Sequence, residues 1–373
     1  MHTSTSMNAT ELDAMMVSII QRIATGPDLS KDISEDEARQ GMLGLLEDAV
    51  DPVRAGIFLI ALRMKRETRE ENRGILRAIL ETTNRVTAPV DELIDIADPY
   101  DGYNRTLPAS PFLAPLLAEL GVPAVSHGVE ATGPKYGITH RKVFSALGID
   151  VDLSPDQAAQ RLADPAIGWS YVDQSQYAPK LYRLLDLRRK LVKRTVITTV
   201  EVLSKPISGR NKTHFMTGYV HKPYPPVYAD LARCADFDSA LLVRGVEGGV
   251  VPSLRQTGKY FRYQDKGEEQ GADIDPVSIG IEQSTRCVPV PDDIPQSARG
   301  EGAVTITDIP AGARRAAELG MAALSGEKGP TYDSLCYAAT LALLHLGREQ
   351  SARDAAERVR ATLDSGKTAE RVK

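Results

Sequence analysis

Apolar positions recur at helical spacing over the first ninety residues and shorten into strand-like runs after them. Ser34 followed three residues later by Glu37 has the pattern of a capping box, which predicts a helix through Leu46. Asp51-Pro52 caps a second helix, whose apolar face carries Ile57, Leu59, Ile60 and Leu62. Thr68 opens a third that reaches about Thr83, and Ala88-Pro89 marks a break.

From Ile94 onward, short apolar runs bounded by glycine or proline alternate with helical stretches. Strands are predicted at Ala124-Val125, Phe215 to Val220, Ser239 to Val243 and Cys287 to Val290. Helices are predicted at Pro111 to Leu120, Arg141 to Leu147, Lys180 to Val192, Pro225 to Arg233 and Gly312 to Leu324. Residues 264 to 273 and Pro289 to Gly302 read as loops. The alternation predicts an α/β fold in which a small all-helical domain spans residues 1–92, joined by a helix at 176–192. A large domain spans 93–373, with a mostly parallel central sheet flanked by helices. A chain of 373 residues exceeds the size of one typical core, which suits two domains.

Hydrophobic content of 42% and charged content of 25% describe an ordinary globular chain. No apolar run approaches the ~20 residues that cross a bilayer, so no membrane partner is expected. The start, Met1 to Ser6, lacks the basic and apolar segments of a secretory signal. Three scattered cysteines, Cys234, Cys287 and Cys336, suit reduced core residues, and the chain is expected in the cytoplasm.

A net charge of −5 conceals an asymmetry. Residues 180–194 carry Lys180, Arg183, Arg188, Arg189, Lys190, Lys193 and Arg194 against Asp186 alone, a net +6 that leaves −11 on the rest. Such a stripe on an acidic chain points to a localised anionic ligand, or forms a solvated face. Wound as a helix, this segment gathers Leu181, Leu184, Leu185, Leu187, Leu191 and Val192 on one arc and most of the cations opposite. Arg188 falls in the middle of the apolar arc. An arginine there either pairs with an internal carboxylate, snorkels its head to solvent, or holds a ligand carboxylate or phosphate.

The strand run Ser239 to Val243 breaks into Arg244-Gly245-Val246-Glu247-Gly248-Gly249-Val250-Val251. Glycines at such a strand end let backbone amides approach a ligand, or serve only the turn. A magnesium site would need several oxygen ligands, and Glu247 alone is a poor one beside two valines. No metal or other cofactor is therefore expected.

Longer stretches resemble the anthranilate phosphoribosyltransferase family, glycosyltransferases whose fold is shared with pyrimidine nucleoside phosphorylases. The resemblance lies in Asp51-Pro-Val-Arg-Ala-Gly-Ile-Phe-Leu-Ile-Ala-Leu-Arg-Met-Lys-Arg-Glu-Thr68, in Leu187-Arg188-Arg-Lys-Leu191 running to Pro206, and in Leu324 to Asp333. Leu363-Asp364-Ser-Gly366-Lys367 completes it. The resemblance implies the two-domain fold and a homodimer formed through the helical domain.

The motifs that the family uses for its substrates differ here. Asp98-Pro99-Tyr100-Asp101-Gly102-Tyr103-Asn104 stands where the family writes a G-T-G-G-D phosphate loop, and Asn104-Arg105-Thr106-Leu107 stands for N-x-S-T. Ser126-His127-Gly128-Val129 replaces K-H-G-N, and Val250-Val251 falls on the acidic magnesium pair. What carries over is His127 and Arg188, which the resemblance makes the candidate catalytic residues. The candidate ligand and phosphate contacts are Asp101, Gly102, Asn104, Arg105, Gly128, Lys135, Arg183, Arg189, Lys190, Lys193, Arg194, Arg244, Gly245 and Glu247.

Three functions remain open at this stage. A branch of the family, similar at residues 184–189 and 244–248, binds nucleic acid, and a basic cleft accounts for that or for another phosphorylated ligand. With aromatic content at 5%, base stacking would contribute little. The alternative is a glycosyltransferase with altered phosphoribosyl or pentosyl transfer, using His127, Lys135 and Arg188, and magnesium belongs only to that reading. The third is a dimeric scaffold without catalysis.

Overall fold

The structure is a computed structural model that describes residues 8–26, 28–299 and 303–373. It divides into two compact units, one of residues 1–83 and 178–204, the other of residues 84–177 and 205–373.

The first unit is helical. It contains α1 (Ala9–Ile23), α2 (Glu35–Leu46), α3 (Pro52–Lys65) and α4 (Arg69–Thr82). Asn8, Ser34 and Thr68 each close a reciprocal capping box with the glutamate three residues on, and Asp51 caps α3 through the amides of Val53 and Arg54. Met16, Ile19, Met42, Leu46, Phe58, Leu59, Leu62, Ile75 and Ile79 are buried together at the resulting core. The basic segment does not form the continuous helix expected over 180–192. It consists of Pro179–Tyr182 and Leu185–Leu191, and Val192 ends it at φ 63°, so Lys193 and Arg194 lie beyond the helix. Leu187 and Leu191 rest against α3 at Gly56.

The second unit is an α/β layer structure. Its sheet uses β1 (Glu92–Ala97), β2 (Ala124–Gly128), β3 (Trp169–Asp173), β4 (Lys212–Tyr219), β5 (Ser239–Arg244), β6 (Gly258–Tyr263) and β7 (Gln270–Ile274), in the order β3-β2-β1-β4-β5-β6-β7. The first five are parallel, and β6 and β7 run antiparallel to their neighbours. Ala240 to Val243 are fully buried, as the unbroken apolar run of a parallel strand covered on both faces requires. The helix Pro330–His345 is buried almost all round, against Phe112, Leu116, Val359 and Leu363 in one core.

Three predicted segments differ in detail. Cys287 to Val290 is not a strand; it is irregular chain tied by Leu107 N–H to the Val288 carbonyl at 3.2 Å. The expected loop at 264–273 includes β7, because edge pairing to β6 needs no apolar run. The loop expected from Pro289 contains Gln296–Arg299, paired antiparallel with Ala303–Ile306, and its end at Gly300 to Gly302 lies outside the described residues. So does the segment Met1 to Ser6. Among the described residues, no helix is long and apolar enough to cross a membrane. The three cysteines are free.

Candidate functional site

The carboxyl ends of β1, β2, β4 and β5 deliver the loops on which ligand contacts were expected, at the edge where open α/β sheets present theirs. Two acidic side chains organise that edge.

The first is Asp98, one residue past β1 and buried. Its Oδ2 accepts from Tyr103 Oη at 2.8 Å, from His140 Nε2 at 3.1 Å and from Ser110 Oγ, and its Oδ1 accepts the Val250 amide at 3.0 Å. Burial pushes the Asp98 carboxyl up, but the donors His140, Ser110 and Tyr103 outweigh it and leave the group below its ordinary range. Burial and the Asp98 charge raise the Tyr103 phenol well above 10, so it stays a donor. These bonds clamp the loop after β1 to the loop after β5.

The second is Glu247, at φ 51° in the glycine-rich loop. Its Oε1 accepts the Arg105 amide and the Thr106 hydroxyl, both at 3.0 Å, and its Oε2 accepts the Asn104 amide at 3.3 Å. Lys135 Nζ stands 3.6 Å from Oε2, donates to the Glu247 carbonyl at 3.3 Å, and pairs with Asp101 at 3.2 Å. Successive amides converging on one carboxylate form an anion nest. A side chain at Gly245 would collide with the Gly249 carbonyl, and one at Gly249 with the Tyr103 hydroxyl. The loop therefore needs its glycines to fold against its own backbone. Gly102 closes a turn onto the Pro99 carbonyl at 2.9 Å.

Beside this nest lies a cavity of about 440 Å³, lined by Arg105, Thr106, Arg244, Glu247, Lys259, Arg286 and Cys287 among others. Among the described residues, no ion pair engages Arg105, Arg244 or Arg286, whereas Lys259 lies 3.5 Å from Asp273. Lys259 and Arg286 escaped sequence reasoning. Register explains Lys259: Val243 pairs with Tyr260 across the antiparallel step, so Arg244 and Lys259 come next to each other. Arg286 stands on irregular chain, and no local pattern marks it.

His127 sits on β2, buried, with both ring nitrogens engaged. Nε2 meets Asp95 Oδ1 at 2.7 Å, and Nδ1 meets the Tyr100 hydroxyl, which continues to Tyr177 Oη at 2.7 Å. The imidazole thus offers no free nitrogen to a substrate. Gly128 follows it as the last residue of the strand.

In the helical unit Arg188 does point inward, and Glu201 holds it through Nη1 and Nη2 at 2.7 Å each. That is the internal-carboxylate partner, not the ligand partner, for a guanidinium in the apolar arc. Arg183 donates to the Leu46 carbonyl at 2.9 Å. Arg189 and Lys190 both reach Asp186, at 2.6 and 2.7 Å, and are exposed, as are Lys193 and Arg194.

The helical-bundle domain of the glycosyl transferase family matches residues 17–83, and the a/b domain of that family matches residues 101–369. The chain belongs to the anthranilate phosphoribosyltransferase-like glycosyl transferases. An uncharacterised protein of Aquifex aeolicus is 32% identical over 252 residues, covering 68% of this chain and 74% of its own. Anthranilate phosphoribosyltransferase of Novosphingobium aromaticivorans is 26% identical over 341 residues, covering 91% and 94%. Among solved structures, anthranilate phosphoribosyltransferase of Saccharomyces cerevisiae in complex with PRPP and Mg superposes with a TM-score of 0.76 at 17% identity, covering 96% of each chain. That likeness establishes the glycosyl transferase fold.

Proposed function

We propose that this member of the family binds nucleic acid through the cationic cavity of its α/β unit and no longer carries out magnesium-dependent phosphoribosyl transfer. The observation that carries the reading is the cavity itself, where Arg105, Arg244, Lys259 and Arg286 converge beside a single carboxylate already engaged by the protein. Unpaired guanidiniums facing one opening suit backbone phosphates, whose condensed counterions they release.

The residues at the sugar-phosphate edge do not fit magnesium and diphosphate. Val250, on the family's acidic pair, is fully buried in the apolar core, and its amide is committed to Asp98. Pro99 contributes no amide, and Glu247 itself occupies the nest at Asn104 to Thr106. Without the metal and open amides, a developing diphosphate charge has little to meet it.

Fluorescence anisotropy with labelled single- and double-stranded DNA across a salt series tests the reading. Sequence-tolerant binding that weakens steeply with salt is expected, with a shallower salt slope for Arg244→Ala and Arg286→Ala. Absence of binding at low salt, or unchanged binding in the double variant, rejects it. Saturable heat from PRPP with magnesium in calorimetry restores the transferase alternative.

We propose in addition that the chain pairs with a second copy through its helical unit, in the cytoplasm. Val53, Ile57 and Met64 expose apolar surface along one side of α3, beside a cleft of about 390 Å³ lined by Ile23, Ile57, Ile60 and Met64. Met64→Glu is expected to convert the dimer to monomer in light scattering.

A further inference from the structure

We infer that Glu247 is a built-in competitor for the phosphate group of the ligand: its carboxylate fills an anion nest from which a phosphate must displace it. The inference rests on the polyanion-binding reading above and adds regulation to the same site. The nest is complete without any ligand. Two consecutive amides, a hydroxyl and an ammonium converge on one carboxylate, with the three direct donors at 3.0 to 3.3 Å. That donor set suits three phosphate oxygens as well as two carboxylate oxygens.

One further feature makes the carboxylate displaceable: Glu247 also lines the cationic cavity. Rotation about its own torsions therefore carries the carboxylate toward Arg105, Arg244 and Arg286 while the loop backbone stays in place. A ligand phosphate entering the nest and Glu247 leaving it exchange one anion for another at the nest donors, and the added charge is met by the cavity cations.

The chemistry selected is a phosphate bearing at least three unesterified oxygens, from free phosphate or from the 5′ end of a nucleic acid. Calorimetry on the full chain with inorganic phosphate compares the wild type with Glu247→Gln, which removes the competing charge and keeps the shape. The variant is expected to bind phosphate roughly tenfold or more tightly, the scale of a charge-assisted bond no longer in competition. Adding Thr106→Val to it is expected to reverse the gain. Oligonucleotides with 5′-phosphate and 5′-hydroxyl ends, measured in parallel, separate the two sources: a gain confined to the phosphorylated oligonucleotide assigns the strand end, and a gain with inorganic phosphate alone assigns the free ion. Equal affinity of wild type and variant for both inorganic phosphate and the 5′-phosphorylated strand overturns the inference. Failure of the wild type to bind the 5′-hydroxyl strand overturns the polyanion reading instead, and the phosphate comparison still decides the role of Glu247. If Glu247→Gln does not fold, amide NMR of the wild type decides: the Asn104 and Arg105 signals shift with millimolar phosphate if the nest exchanges, and stay fixed if it does not.

Discussion

Arg188 and Glu201 face each other inside the helical unit as a two-bonded ion pair, both bonds at 2.7 Å and both side chains almost fully buried. The short helix Leu185–Leu191 thereby joins the segment that follows it, and the arginine has a structural employment independent of any ligand. Arg188→Ala removes a two-bonded guanidinium from a buried carboxylate. A loss of about 3 to 5 kcal/mol is expected in urea unfolding. Replacing both partners, Arg188→Met with Glu201→Leu, is expected to recover most of it. Equal losses in the single and double variants would falsify the pairing argument.

His214 and His345 share the Ser239 hydroxyl, at 2.7 and 2.8 Å, near the amino ends of β4 and β5. Burial lowers the His214 imidazole to about 4, against the opposing pull of Asp238, and lowers His345 to about 3, with His214 and Arg262 adding to the effect. Both are neutral in the folded chain and titrate near 6.5 when unfolded. The unfolded state therefore takes up more protons below that value, and stability falls with pH between about 6.5 and 4. Unfolding free energies from urea titrations are expected to be flat above pH 7 and to drop by a few kcal/mol toward pH 4.5. His345→Gln is expected to reduce the slope.

Much of the architecture was readable in the sequence because local chemistry decided it. Ser34, Asp51 and Thr68 are caps whose bonds close within three residues, so the helix starts needed no tertiary information. The run Ala240 to Val243 announced a doubly covered strand. By contrast, Pro330–His345 is apolar on every side, and a wholly buried helix carries no periodic contrast to read. The strands β6 and β7 gave no signal because their pairing is at an edge with exposed Lys259 and Asp273. At the site, the glycine loop and the inward turn of Arg188 were legible. The partners were not, since Glu247 and Arg105 lie 142 positions apart and meet only through the sheet.

Asp98 holds four donors from four separate segments, and its carboxyl stays below the ordinary range through them. Its stabilising contribution is therefore full above the unfolded carboxylate value near 4 and is lost as pH falls below it. Asp98→Asn replaces an acceptor oxygen by a donor nitrogen facing other donors. A loss of at least about 3 kcal/mol is expected from charge-assisted bonds of this kind, measured by urea unfolding at pH 7. Unchanged stability would mean that the two loops are held together by packing alone.

Introducing the acidic pair that the resemblance implies at Val250-Val251 is expected to harm the fold before it helps any metal. Val250 is fully buried, and its amide already donates to the Asp98 carboxylate at 3.0 Å. Val250→Asp inserts a second carboxylate into apolar surroundings beside the first. Desolvation and like-charge repulsion both oppose it, at a cost of several kcal/mol. A lower thermal midpoint and no heat from PRPP with magnesium are the expected results. A variant that keeps its melting temperature and gains saturable magnesium-dependent PRPP binding would show that a single substitution separates this edge from a working sugar-phosphate site.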